Sequence, residues 1–143
     1  MPDLSALDQL YREVVLEHYR NPRNREPLAH PTGSGRVSNP VCGDQVHVEV
    51  EVVDGRIARV SSRARGCSIA VASGSVMTEL VQDATPAAAL DQSESLARVV
   101  RGESPGTELD PRVRAFGRVA TLPSRQRCAT LAWEALAEAL GKG

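Results

Sequence analysis

Apolar residues recur along this chain first at helical spacing and then at strand spacing, and the change of period marks out its elements. Leu4, Leu7, Tyr11, Val14, Val15 and His18 follow three- and four-residue steps, which predicts an amphipathic helix over 4–19. Asn21-Pro22-Arg23-Asn24 stops it. A stretch rich in Pro and Gly follows from Asn21 to Pro40, read as a long loop with room for a short edge strand near 36–38. From Gln45 to Val52 the period becomes two. Val46, Val48, Val50 and Val52 share one side, and Gln45, His47, Glu49 and Glu51 share the other. Asp54-Gly55 is a hairpin turn, and Ile57 to Arg65 returns as a second strand ended by Gly66.

Helical spacing then resumes. Ser68 is read as the cap of a helix reaching about Gln82, with Ile69, Ala72, Val76, Met77, Leu80 and Val81 as its stripe. Asp83 to Pro86 breaks the pattern, and a shorter helix is expected near 93–101 through Leu96, Val99 and Val100. Gly102 to Pro111 reads as a connection, and 111–119 as one more short helix. The last helix begins after Leu122-Pro123-Ser124 and runs to about Leu140, with Cys128, Leu131, Ala132, Ala135, Leu136 and Ala139 on one stripe. Strands first and helices afterwards imply an α+β fold, a small three-stranded antiparallel sheet packed against five to six helices. The length fits a single domain over 1–143.

Composition narrows the function classes. The formal net charge of −1 supplies no overall basic field, and 3% aromatic residues offer few stacking platforms, so nucleic acid is not an expected partner. No apolar run is long enough for a membrane span. The first fifteen residues lack the basic and apolar regions of a signal peptide. Three cysteines without export signals point to a reducing, cytoplasmic setting.

Those cysteines are Cys42, Cys67 and Cys128, and Asp44 lies two residues beyond the first. Three thiolates and a carboxylate are the right number for a four-coordinate cation such as Zn²⁺. Gly43 permits a positive φ, so Cys42 and Asp44 can face one concavity. Cys67 opens a helix, where free N–H groups favour a thiolate, and Cys128 lies in the first turns of another. The residues alone leave a second reading open: free cysteines are often simply buried, and Asp is a common turn residue. The intervals between the cysteines are much longer than those of a metal knuckle.

Several segments together resemble the U-type iron–sulfur cluster assembly family, which includes IscU, SufU and the NifU N-terminal region. They are Cys42-Gly43-Asp44 before the Val-rich strand, Gly66-Cys67-Ser68 opening a helix, and Arg127-Cys128-Ala129 leading into Leu131-Ala132-Trp133. Glu17-His18-Tyr19-Arg20-Asn21-Pro22-Arg23-Asn24 matches a further signature, and the resemblance runs from about Leu7 to Gly141. Three departures place the chain with the SufU branch. Arg127 stands where the IscU pattern has His, Leu122-Pro123-Ser124-Arg125-Gln126 replaces a chaperone-recognition motif, and 83–110 carries extra length.

The resemblance implies Zn²⁺ held by Cys42, Asp44, Cys67 and Cys128, and sulfur accepted from a PLP-dependent cysteine desulfurase of the SufS type. Downstream Suf assembly proteins would be further partners. The chain would then be a zinc-dependent sulfurtransferase. Cys42, on its Gly-hinged loop, is the expected sulfur acceptor, Cys67 and Cys128 the fixed anchors, and Asp44 the exchangeable oxygen. The alternatives are a scaffold for a transient [2Fe–2S] cluster and a purely structural zinc module. Arg125 is read as a positive field on the thiols, with Arg127 weaker in that role. His47, Glu49 and Glu51 are read as a solvated strand face, and His18 as a packing or partner-surface residue. His30 is uninformative, and Trp133 and Met77 fit helix packing.

Overall fold

In the computed structural model, which describes residues 4–41, 43–106 and 108–141, the alternating segment after Asp44 is the middle of the sheet. Strand β1 (Gly33–Asn39) pairs antiparallel with β2 (Asp44–Val53), and β2 with β3 (Arg56–Arg65), in the order β1-β2-β3. Val46, Val48 and Val50 are buried against helices, while the alternate residues face outward. The β2–β3 hairpin closes through Asp54 and Gly55 with Val53 opposite Arg56. A bulge at Glu51–Val52 shifts the register of β3 near its start.

Helix α1 (Leu4–Arg20) lies on α2 (Ser68–Val81), and α2 sits between α1, β3 and the C-terminal helix α5 (Gln126–Ala139). The central position of α2 explains its composition: Ile69, Ala70, Ala72, Ser73, Gly74, Ser75, Val76, Met77 and Thr78 are all buried, far beyond one stripe. Its hydroxyls are used as well. Ser73 Oγ donates to the Ala129 carbonyl of α5 at 2.6 Å, and Thr78 Oγ1 to the Ser75 carbonyl at 2.7 Å. Helix α5 crosses β1 and β2, and its buried Leu131, Trp133 and Leu136 fill the core with Phe116, Ile57 and Met77.

Four boundaries differ from the sequence expectation. The edge strand is seven residues long, not a short piece near 36–38. Its inward positions are Gly33, Gly35, Val37 and Asn39, so it shows no apolar alternation. The glycines are there for contact: a Cβ on Gly33 or Gly35 would overlap the Ala139 or Ala135 carbonyl of α5. Helix α3 (Pro86–Val99) begins earlier than Ser93, because Thr85 accepts a hydrogen bond from Ala88 N at 3.1 Å and Pro86 takes the first helical position. The segment after Asp110 is a five-residue helix α4 (Pro111–Ala115) continued as a 3₁₀ turn over Phe116–Thr121. At the start of α2, Cys67 rather than Ser68 is the capping residue, and no side chain caps that end.

Candidate metal centre

Three elements end at one place. Asp44 is the first residue of β2, Cys67 immediately precedes α2, and Cys128 is the third residue of α5. Asp44 and Cys128 are each 1% exposed, while Cys67 is half-buried. Asp44 Oδ1 accepts from the Cys67 backbone N–H at 3.0 Å. Its Oδ2 accepts from the thiols of Cys67, at 3.3 Å, and Cys128, at 3.2 Å. One donor atom from each residue lies within 4.8 Å of the others. Both oxygens of Asp44 thus accept hydrogen bonds from the cysteines.

Gly66 makes this possible. Its φ of +133° suits glycine alone, and a Cβ there would overlap the Asp44 carboxylate. The sequence marks Gly66 as a strand stop and as part of the Gly66-Cys67-Ser68 motif, but not as the residue whose missing side chain makes room for a carboxylate.

Charge around the thiols is uneven. Burial, then the hydrogen bond to Asp44, then Cys67, push the Cys128 thiol well above its ordinary range. Two thiols donating to one carboxylate oxygen is the protonated form of a cluster that repels itself once deprotonated. Arg125, at the end of the 3₁₀ turn Pro123–Arg125, stands beside both thiols, and its guanidinium pKa is raised first by Cys67 and then by Cys128. Arg127 pairs with Glu134 at 3.2 Å, so of the two arginines it is Arg125 whose charge lies beside the thiols. Tyr11 lines the same open cavity as Cys67 and Arg125, its ring edge-on to Phe116 with centroids 6.1 Å apart. Burial first, and then the charge of Cys67, raise its phenol.

The donors fit a tetrahedral Zn²⁺. Bonds of about 2.3 Å to sulfur and about 2.0–2.2 Å to oxygen require donor–donor edges of roughly 3.5–3.8 Å. The two S···O separations of 3.3 and 3.2 Å reach that range with shifts of a few tenths of an ångström. Cys42, the fourth candidate and the expected sulfur acceptor, lies outside the described residues. Its neighbour Gly43 has the expected positive φ, +78°, and Val41 before it is 92% exposed.

Among the described residues no histidine joins this cluster. His18 is 4% exposed, with Nδ1 2.7 Å from Ser75 Oγ, so it packs α1 on α2. His47 is more engaged than a solvated residue, bonded to Ser34 and Arg63 across the outer face of the sheet. Glu49 on that face is also bound, accepting from Leu28 N and Arg63.

The sequence pattern of the NifU-like N-terminal domain matches residues 10–142. The chain belongs to this family. A NifU-like N-terminal domain is therefore what brings the three donors together, and the membership expected from the cysteine motifs is shown. The chain is 32% identical over 137 residues to the zinc-dependent sulfurtransferase SufU of Bacillus subtilis, covering 95% of this chain and 92% of that one. It is 33% identical over 138 residues to the iron–sulfur cluster assembly scaffold protein IscU of Streptococcus pyogenes serotype M1, covering 96% and 86%. Among solved structures, it superposes with a TM-score of 0.80 on a candidate iron–sulfur cluster assembly scaffold protein for the SUF system from Fervidobacterium islandicum. That match has 25% identity and covers 92% of this chain and 97% of the other. The α+β fold is thus that of the SufU and IscU proteins. Among the described residues no helix is long and apolar enough to cross a membrane.

Proposed function

We propose that this chain is a zinc-dependent sulfurtransferase of iron–sulfur cluster assembly that accepts persulfide sulfur from a SufS-type, PLP-dependent cysteine desulfurase. The observation that carries this reading is the convergence of Asp44, Cys67 and Cys128 under Arg125, in a chain alignable almost end to end with a zinc-dependent sulfurtransferase. Asp44, Cys67 and Cys128, with Cys42 as the fourth donor, would hold Zn²⁺. When bound, the ion keeps the thiols deprotonated in a site where burial otherwise holds the Cys128 proton on.

The chain's own residues supply the rest. Asp44 orients both sulfurs through one oxygen while the Cys67 N–H fixes the other. Arg125 places a positive charge beside developing thiolate or persulfide. Cys42, next in sequence to exposed Val41, is assigned the sulfur-acceptor role. Its thiolate attacks the outer sulfur of the desulfurase persulfide. The S–S bond of that persulfide breaks, a new S–S bond forms on Cys42, and the desulfurase cysteine leaves as thiolate. No oxidant or reductant is needed. A cytoplasmic setting keeps such thiols reduced.

The test is desulfurase turnover with catalytic amounts of this protein, with and without a chelator. The expected result is stimulation that requires metal and is lost in Cys42→Ser. Full stimulation by Cys42→Ser would sink the acceptor assignment, and none by wild type would sink the function. The second reading, a scaffold for a transient [2Fe–2S] cluster passed to downstream Suf proteins, is favoured by the IscU relatives. It predicts a brown product with charge-transfer absorption after anaerobic loading with iron and sulfide.

A further inference from the structure

The outer face of the sheet carries charge that the thiol site does not use. The register sets Arg36 of β1, His47 of β2 and Arg63 of β3 side by side in one row, and Ser38, Gln45 and Arg65 in the next. With Arg25 from the loop before β1 they line an open basin of about 580 Å³ that has no acidic residue in its wall. Glu49, at its margin, accepts from Arg63 at 3.3 Å. Arg25, Arg36 and Arg65 make no ion pair among the described residues. No carboxylate stands opposite these arginines on the adjacent strand: Arg36 and Arg63 both face His47, and Arg65 faces Gln45. Burial first, then Arg36 and Arg63, lower the His47 pKa, as expected where positive charge goes uncompensated.

We propose that this face docks an acidic segment of a partner protein, with Arg36, Arg63 and Arg65 as anchors and Arg25 closing one side. The spacing selects that occupant. Strands lie about 4.8 Å apart, so Arg36 and Arg63, two strands apart, are separated by roughly 10 Å at the backbone. Arg63 and Arg65 are roughly 6.8 Å apart along one strand, the repeat of alternate side chains in any extended peptide. Carboxylates on alternate residues match this lattice. A phosphate site would instead converge its donors, commonly backbone N–H groups, on one point. Nucleic acid has a comparable charge spacing, but the face carries no aromatic residue for a base to stack on, and the chain's net charge is −1. Because β2 alternates, Asp44 lies on the buried face and Gln45 on this one. An acidic partner can therefore bind while the thiols stay accessible.

The experiment titrates the isotope-labelled full chain with a peptide of alternating Glu and Ser, followed by NMR. Single-stranded oligothymidylate and inorganic phosphate serve as separate arms. The expected result is shifts centred on Arg36, Gln45, His47, Arg63 and Arg65, with affinity falling about tenfold or more as salt is raised. R36S/R65S should weaken binding by a similar factor, while R59S, beyond the basin on the same face, should bind like wild type. No binding at millimolar peptide, shifts centred on Cys67 and Cys128, or wild-type affinity in R36S/R65S would each overturn the proposal. So would tighter binding of oligothymidylate or phosphate than of the peptide. No desulfurase enters the assay, so the outcome is independent of the sulfur-transfer reading.

Discussion

At the residue scale, the site depends on what Asp44 touches. Its carboxylate occupies the space a side chain on residue 66 would fill, so Gly66→Ala should displace it from both sulfurs. We expect zinc affinity to fall about 10–100-fold, the usual loss when a group orienting a ligand is removed. Competition with a chromophoric chelator measures this, and unchanged affinity would show that Asp44 is dispensable. The ligand types were legible in the sequence, since three cysteines and a nearby Asp can be counted. The need for Gly66 was not, because it arises from an atom contributed 22 residues earlier in the chain and seen only in space. His18 gives a second test. Burial first, and the charge of Arg23 next, lower its pKa. Arg112 acts in the same sense, while Glu79 and Glu17 act in the opposite one. Below its ordinary value of 6.5 the unfolded chain takes up a proton that the folded chain refuses. Stability should therefore fall as pH drops through about 6.5, and denaturant midpoints should fall less steeply for His18→Gln. A slope unaltered by that change would assign the pH dependence to His47 or other groups.

At the scale of elements, the clearest pattern gave the most faithful reading. The alternating valines of β2 and the Asp-Gly hairpin appear where the period of two put them. The misread elements are those whose sequence signals serve packing or capping. Strand β1 looked like loop because Gly33 and Gly35 occupy its inward positions, where α5 backbone lies against them. Thr85-Pro86 looked like a break because proline is excluded from helix interiors, whereas here it takes the first position of α3 behind the Thr85 cap. These readings have measurable consequences. Gly35→Ala should force α5 away from the sheet and cost about 1–3 kcal/mol. Urea denaturation reads that loss, and an unchanged midpoint would mean that the strand and helix are less closely apposed than described.

At the scale of the molecule, the thiol site is also a joint. Its donors come from β2, from the β3–α2 junction and from α5, so an ion held there ties the sheet to two helices. A ligand that binds only the folded chain stabilises it by about 2.7 kcal/mol at a hundred times its Kd. Chelation should therefore lower the thermal midpoint by about 5 °C or more, and a Cys67→Ser/Cys128→Ser protein should not respond. Equal midpoints with and without chelator would argue against a bound ion at the joint. The burial of Cys128 beside half-exposed Cys67 gives the trio a front and a back. A large electrophile meets the half-buried thiol more readily than the buried one, so alkylation of the metal-free chain should reach Cys67 before Cys128. The same geometry fixes a line of approach for whatever brings sulfur, and it keeps the rear thiol from being consumed by stray oxidants between visits.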